Sequence, residues 1–307
     1  MNEAHRTNQP WTPQDLIAWC EGFFAEKGVE TPRLDAELLL AHALGCRRLD
    51  LYLQFDRPMQ PDELTRFREL VRERARRMPV AYLTGVTEFW SLPLTVRPGC
   101  LIPRPDTETL VEVTLEAVEA LRSEGGDTAL LDVLELGTGT GAIPLAVCSE
   151  AQGIRWLAVE RSARAAAVAA ENRSRHAKLL EPRDNRLWLL CGDGFGAVNG
   201  EWQPHLLVSN PPYIPSAVLD TLQPEVAREE PRAALDGGAN GLDWYRTLVR
   251  EAATRLRPGG RLLLEIGADQ GEALRDLVAG EAVLELLDIR KDLGGRDRVV
   301  HAVRWED

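Results

Sequence analysis

The last two strand-like segments of the chain, AVLELLDIR (residues 282–290) and RVVHAVRW (residues 298–305), are joined by KDLGGRD alone. Parallel neighbours need a crossover of a dozen or more residues, so one of these two strands must run antiparallel to the other. What precedes them has a different rhythm. From Asp106 onward apolar runs alternate with amphipathic stretches: a helix over 106–123, the strand ALLDVLEL, a helix near 141–150, the strand RWLAVE, a helix over 162–176, the strands RLWLL and HLLVS, a helix over 241–256, the strand GRLLLEI and a helix over 268–278. Alternation of this kind builds a parallel sheet with helices on its faces. Together the two observations predict a mostly parallel, seven-stranded α/β sheet that closes with an antiparallel terminal hairpin.

The N-terminal part is punctuated for helices. Thr12-Pro13 and Thr31-Pro32 each place an N-cap before a first-turn proline, and Gly28 and Gly45 supply stops. Leu16, Ile17, Cys20, Phe23 and Phe24, then Leu34, Leu38 and Leu39, recur at helical spacing and predict the core of a small bundle. A further helix from Pro61 to Met78, ended by Pro79, contains RFRELVRERARR (residues 66–77), with six arginines against two glutamates. Such a run ordinarily makes a solvated face, with docking of a partner as the alternative. Residues 86–96, VTEFWSLPLTV, are β-rich around Ser91 to Pro93 and predict a hairpin. The expected organisation is a helical, substrate-recognising bundle over residues 1–80, a hairpin linker over 81–105 and an α/β domain over 106–307.

Bulk properties narrow the function. A chain of 307 residues suits about two domains. No apolar run approaches the ~20 residues of a membrane span, and MNEAHRTNQPW has neither the basic start nor the apolar core of an export signal. A cytoplasmic protein without a membrane partner is expected. The five cysteines are scattered without a CxxC pair and the five histidines without an HExxH spacing, so neither disulfides nor a metal is expected. The net charge of −12 is uneven: residues 1–105 hold 14 basic and 14 acidic residues, the remainder 22 basic against 34 acidic. A protein that grips DNA or RNA needs a positive footprint to displace counterions, so no direct nucleic-acid partner is expected.

Chemistry-bearing residues gather at strand ends. VLELGTGTGAI (residues 133–143) reads as a strand, a glycine-rich turn and a helix start, a shape that lets backbone amides approach a ligand. Gly137, Gly139 and Ala142 also satisfy the GxGxxG/A dinucleotide fingerprint, which keeps a nicotinamide enzyme in view. Glu160 ends the second strand 19 residues after Gly141, where a carboxylate can accept both hydroxyls of an adenosine ribose. Asp193 ends the third strand, either as a turn residue that caps the next segment or as part of a site. Asn210 ends the fourth, in LLVSNPPYIP, where Pro211 and Pro212 cannot donate to a ladder and must stop the strand. Gly137, Glu160, Asp193 and Asn210 thus share the carboxyl rim, where open α/β sheets bind ligands.

The sheet with its antiparallel closing strand is similar to that of the Rossmann-like methyltransferases, and this gives NPPY a task. S-adenosylmethionine offers a methyl on a cationic sulfur, so an enzyme using it must mainly align a nucleophile and exclude water. An amide nitrogen is a reluctant nucleophile because its lone pair is delocalised into the carbonyl. Two acceptors, the Asn210 side-chain oxygen and the Pro211 carbonyl, can hold both of its N–H groups and direct the nitrogen's density at the methyl. Tyr213 can pack on the planar group.

ELGTGTG, EFWSLPL, LIPRPDTE, SNPPYIP, EEPRAALDGGANGLD and GGRDRVV together resemble the PrmC/HemK glutamine N5-methyltransferases of peptide-chain release factors. The likeness spans nearly the whole chain. It implies S-adenosyl-L-methionine as cofactor and the glutamine of the GGQ loop of class-I release factors as substrate, handled by a monomeric enzyme. Asn210, Pro211, Pro212 and Tyr213 take the family's substrate role, with Asn210, Pro211 and Tyr213 catalytic. Gly137, Thr138, Gly139, Thr140, Gly141, Glu160, Asp193, Gly194 and Asn210 take the cofactor role. Glu135 stands where relatives commonly have aspartate, and Gly194 where some have a large aromatic; Phe195 is then either the adenine's packing surface or a core residue.

Four rivals remain open on sequence alone. A methyltransferase for a ribosomal-protein glutamine shares NPPY. An adenine N6-methyltransferase would need a basic recognition domain that this chain lacks. A nicotinamide oxidoreductase leaves NPPY unexplained. An inactive adaptor leaves the motifs on every strand end unexplained.

Overall fold

Four α-helices and the 3-10 helix Arg48–Gln54 make up the secondary structure of the described N-terminal residues. The structure, a computed structural model, describes residues 10–125 and 130–305 and divides into two units, Met1–Gly85 and Val86–Asp307. The first unit carries α1 (Pro13–Glu26), α2 (Pro32–Leu44), α3 (Pro61–Ala75) and α4 (Val80–Thr84). Helix α1 starts with a reciprocal cap: the Asp15 backbone N–H donates to Thr12 Oγ1 at 3.3 Å, and the Thr12 N–H donates to Asp15 Oδ2 at 3.2 Å. The cap expected at Thr31 does not form. Its hydroxyl donates to Asp35 Oδ1 at 2.8 Å instead.

The buried stripe of α2 is Ala36, Leu39, Leu40 and Ala43, an i, i+3, i+4, i+7 set, so Leu34 and Leu38, expected in the core, are 40% and 36% exposed. The arginine run also departs from expectation, because it is not one solvated face. Arg74 is buried, and its Nε donates to Asp35 Oδ2 at 2.7 Å, tying α3 to α2. Arg66 donates to the Ala43 carbonyl, Arg76 pairs with Glu73, and Arg77 donates to the carbonyls of Lys27 and Gly28. Of the six, Arg66, Arg68, Arg72 and Arg76 are exposed, the first and last of them with the partners just named.

The second unit begins with the hairpin β1 (Val86–Phe89) and β2 (Leu92–Thr95), paired antiparallel with Phe89 opposite Leu92. Its two-residue turn puts Trp90 and Ser91 at φ 52° and 58°, the left-handed pair that a right-twisted hairpin requires. External bonds hold this strained turn. The Trp90 N–H donates to Glu108 Oε1 at 2.9 Å and its indole N–H to Glu150 Oε1 at 3.2 Å. The Thr95 N–H donates to Asn172 Oδ1 at 2.7 Å, and Phe89 and Leu94 join the core. The hairpin is therefore integral to this unit, and the division of the chain falls after Gly85.

Next come α5 (Glu108–Gly125), β3 (Leu131–Leu136), α6 (Ala142–Glu150), β4 (Ile154–Glu160), α7 (Ala163–Arg175), α8 (Ala177–Leu180), β5 (Arg186–Cys191) and β6 (Leu206–Ser209). They are followed by α9 (Asp243–Arg255), β7 (Arg261–Glu265), α10 (Gly271–Ala279), β8 (Leu284–Lys291) and β9 (Asp297–Arg304). The sheet runs β5-β4-β3-β6-β7-β9-β8; the first five strands are parallel, and β9 is antiparallel to both β7 and β8. This is the architecture the seven-residue KDLGGRD connection demanded.

Both faces are covered. Leu131 and Val133 of β3 with Val208 of β6 enter one core, while Leu134 and Leu136 with Leu207 enter the other. Burial on both sides explains the apolar runs over residues 206–208 and 262–264, and the full burial of β3 even though Asp132 and Glu135 interrupt its apolar residues. The chain leaves β3 for β4 on one side and places β6 on the other, so the strand order reverses at β3/β6 and opens a crevice at the carboxyl ends. Among the described residues no helix is long and apolar enough to cross a membrane.

Candidate active site

Beyond Leu136 the chain passes through Gly137, Gly139 and Gly141 at φ 76°, 58° and 80°. A Cβ at Gly137 or Gly139 would meet nothing within 4 Å, so these glycines supply a left-handed backbone and not space. Gly141 has a second duty. It caps α6, and a Cβ there would lie 3.5 Å from that of Ala169 on α7.

Two carboxylates brace the turn. Glu135 is fully buried; its Oε2 accepts from the Thr138 hydroxyl at 2.7 Å and from the Trp156 indole N–H at 3.0 Å. Burial pushes its carboxyl up to about 7. Glu160, at the end of β4, accepts from the Gly139 N–H on Oε2 at 2.9 Å and from the Ser162 N–H on Oε1 at 2.7 Å. Each of its oxygens keeps a lone pair for a ligand.

On the far side of β3, strand β6 delivers Asn210. Its Nδ2 donates to Thr107 Oγ1 at 3.2 Å, where Thr107 closes the short turn that precedes α5. Ser209 lies opposite Leu264 in the β6/β7 register, so Asn210 emerges beside Glu265. Glu265 is 1% exposed, and burial pushes it up to about 7 against the opposing influence of Thr107, Arg298 and Asn210. Pro211 is buried and fixes the backbone after the strand. The loop DGGANG presses on this backbone from outside: a Cβ at Gly237 would come within 2.8 Å of the Pro212 carbonyl oxygen. Gln270 Nε2 donates to the Tyr213 carbonyl at 3.1 Å. A second strap crosses nearby, where Arg104 pairs with the buried Glu230 and the Ile102 N–H donates to Glu230 Oε2 at 3.2 Å.

These pieces enclose a cavity of about 410 Å³, inside the range usual for small-molecule sites. Gly137, Thr138, Gly139, Thr140, Glu160, Asp193, Gly194, Asn210, Pro211 and Pro212 all line it. Gly141 and Tyr213 do not stand among the lining residues. Gly141 is turned to α7 as described. Tyr213 packs with the core cluster that holds Tyr245, Leu248 and Leu264, and burial followed by the charge of Glu265 pushes its hydroxyl up to about 12, so it stays protonated.

Asp193 precedes the short turn Gly194–Ala197 without capping it, which leaves its carboxylate to the cavity. Phe195 is a core residue: it is 8% exposed, belongs to the same cluster as Tyr245, and has the Arg255 guanidinium 5.0 Å above its ring. Several wall residues had no assigned role in the sequence reading. Arg104, Thr107, Ala233 and Ala234 come from LIPRPDTE and EEPRAALDGG, whose conspicuous prolines mark loops without saying what they face. Trp244 and Leu248 come from the first turns of α9, where helical spacing signals only core.

The sequence of the first unit matches the family model of the PrmC N-terminal domain over residues 15–85. The release factor glutamine methyltransferase of Geobacter sulfurreducens is 42% identical over 290 residues, covering 94% of this chain and 96% of that protein. That of Nitratidesulfovibrio vulgaris is 39% identical over 305 residues, covering 99% of this chain and 98% of the relative. The chain belongs to the release factor glutamine methyltransferase family. It is a methyltransferase. Among solved structures, the hMettl16 catalytic domain superposes with a TM-score of 0.52 over 71% of this chain and 77% of its own, at 15% identity, which is a likeness of fold alone. Full-length similarity to this family removes the nicotinamide oxidoreductase: the glycine turn shared by the two classes here serves a methyltransferase.

Proposed function

We propose that the chain transfers a methyl group from S-adenosyl-L-methionine to the side-chain amide nitrogen of the glutamine in the GGQ loop of class-I release factors, as a cytoplasmic monomer. The observation that carries this reading is the placement of Asn210 and Pro211 on the wall opposite the glycine turn in one cavity.

The donor set fits the cofactor. Gly137, Thr138, Gly139 and Thr140 offer a bent backbone with open space above it, Glu160 offers two oriented carboxylate oxygens for the ribose, and Asp193 and Gly194 border the adenine side. Bound there, S-adenosylmethionine supplies a methyl on a cationic sulfur. Asn210 Oδ1 and the Pro211 carbonyl accept the two N–H groups of the substrate amide and hold its plane so that the nitrogen faces the methyl. Tyr213 acts on that plane only through the backbone that carries Pro211 and Pro212, because its ring packs in the core behind the wall. Transfer would form the C–N bond as the methyl–sulfur bond breaks with its electron pair returning to sulfur, and the surplus proton of the nitrogen would pass to solvent as that bond forms, so alignment carries the catalysis and no strong base is required beforehand. A glutamine side chain offers little surface, so choice of one glutamine in one protein draws on contacts remote from the nitrogen; the first unit, with Arg68 and Arg72 exposed, is the element proposed to make them.

Mass spectrometry of release factors incubated with enzyme and cofactor tests the reading. A single methyl on the GGQ glutamine is expected, and its absence from release factors would overturn the assignment.

A further inference from the structure

Asn210 can work as a clamp only if its amide presents oxygen, not nitrogen, to the substrate. Rotation by half a turn would exchange the two ends, replace an acceptor by a donor and repel the substrate's N–H groups. Thr107 cannot prevent this by itself, because a hydroxyl can accept from the amide nitrogen or donate to the amide oxygen with equal ease. Something else must fix the orientation.

Glu265 has the required properties. The β6/β7 register sets it beside Asn210 at the carboxyl ends of adjacent parallel strands. It is 1% exposed, and its Oε2 has no hydrogen-bond partner among the described residues. Leaving a buried carboxylate oxygen unpartnered is costly, and such groups are retained where they serve a purpose. An ionised carboxylate only accepts, so next to it the amide of Asn210 must turn its N–H groups inward and its oxygen toward the cavity. We propose that Glu265 is the positioning residue of this active site, which sets the amide of Asn210 with its oxygen outward by offering only an acceptor to the inward side of Asn210 and Thr107. The inference rests on the clamp reading of Asn210.

The arrangement is conditional on ionisation. Burial raises the carboxyl to about 7, and once protonated it can donate, so the constraint on the amide is lost. The charged and titratable groups that face it are Arg298 of β9, Asp106 before α5, Tyr213 after β6 and Tyr245 of α9. Arg298 is itself neutralised by Asp292 at 3.0 Å and Asp106 at 3.1 Å, so it does not depend on Glu265 for its charge balance. Removing the carboxylate's charge therefore leaves no orphaned cation behind.

The test compares wild type with Glu265→Gln, measuring kcat and KM on a release factor with saturating cofactor between about pH 6 and 8, cofactor Kd by calorimetry, and Tm. Wild-type kcat should fall as pH drops through about 7, because the raised carboxyl is ionised only above that value. The glutamine variant, locked neutral, should lose roughly tenfold in kcat at pH 8 and lose the pH dependence, with KM and cofactor Kd within about twofold. Its Tm at pH 8 should equal or exceed that of wild type, since a buried charge has been removed. A merely structural carboxylate would instead lower Tm and cofactor affinity together, and that outcome overturns the proposal. So does a variant with wild-type kcat and pH profile. If the variant does not fold, the wild-type profile decides, and a kcat flat across that range overturns the role. Wild-type turnover on the release factor separates the two levels: with it present, a negative result removes only the role of Glu265; with it absent, the functional reading and this inference fall together.

Discussion

The two walls of the cavity are made of different material. On the β3 to β5 side the wall is built on backbone: a left-handed glycine turn, tied to Glu160 by the Gly139 N–H and braced from below by Glu135 through Thr138, with the carboxylates of Glu160 and Asp193 at the neighbouring strand ends. On the β6 to β7 side the wall depends on side chains brought together from distant parts of the sequence, with Asn210 held by Thr107, followed by Pro211, and set beside Glu265, whose charge faces Arg298. A backbone wall is insensitive to rotamers and suits an unchanging ligand. A side-chain wall can be aimed, and its aim depends on protonation and on neighbours, which suits the reacting nitrogen. The two walls should therefore fail in different ways, the first in cofactor affinity and the second in turnover.

The largest expected effect is on the aimed wall. Asn210→Ala removes one oriented acceptor, which costs on the order of 3 kcal/mol in the barrier, near a hundredfold in kcat. Cofactor Kd measured by calorimetry should change little. A large loss of cofactor affinity with normal turnover at saturation would erase the distinction between the walls.

Glu160→Ala strikes the other wall. It removes charge-assisted contacts to the ribose and frees the Gly139 N–H, so cofactor binding should weaken by about 2 kcal/mol, roughly thirtyfold in Kd, with kcat at saturating cofactor little altered. An unchanged Kd in titration would mean that Glu160 only organises the turn. Gly139→Ala sharpens the point without removing any polar group. A Cβ there meets no neighbour, so only the left-handed backbone is penalised, by about 1–2 kcal/mol. The loss should appear as a roughly tenfold rise in cofactor Kd. If Gly139→Ala binds as wild type does, the turn relaxes freely and backbone preorganisation is not what this wall contributes.

The same contrast explains what could be read in advance. The backbone wall was legible because its signals are local: glycines at fixed spacing after a buried strand, then a carboxylate at the end of the next strand. The short KDLGGRD connection fixed the antiparallel closure by length alone. The side-chain wall was half legible. Asn210 and the prolines announce themselves, but Thr107 and Glu265 lie 103 residues before and 55 residues after Asn210, and only strand order makes them neighbours. Helical phase misled at Leu34 and Leu38, where two residues four apart share a face that turned out to be the exposed one. Composition misled at Arg74, because a charged run does not show which of its members finds a buried partner such as Asp35.

The smallest expected effect concerns Tyr213, the member of NPPY that lies behind the cavity wall. Its ring packs among core residues and its hydroxyl, held protonated by burial, has no charge to contribute. What the residue supplies is a rigid aromatic plate behind the backbone that carries Pro211 and Pro212, and the Tyr213 carbonyl is itself fixed by Gln270. Phenylalanine preserves the plate. Tyr213→Phe should therefore keep kcat and cofactor Kd within about twofold of wild type, whereas Tyr213→Ala, which removes the plate, should lower kcat and Tm together. Steady-state kinetics on a release factor distinguishes the cases. A hundredfold loss in Tyr213→Phe would mean that the hydroxyl reaches the substrate, and the side-chain wall would then extend one residue further along the motif than the cavity does.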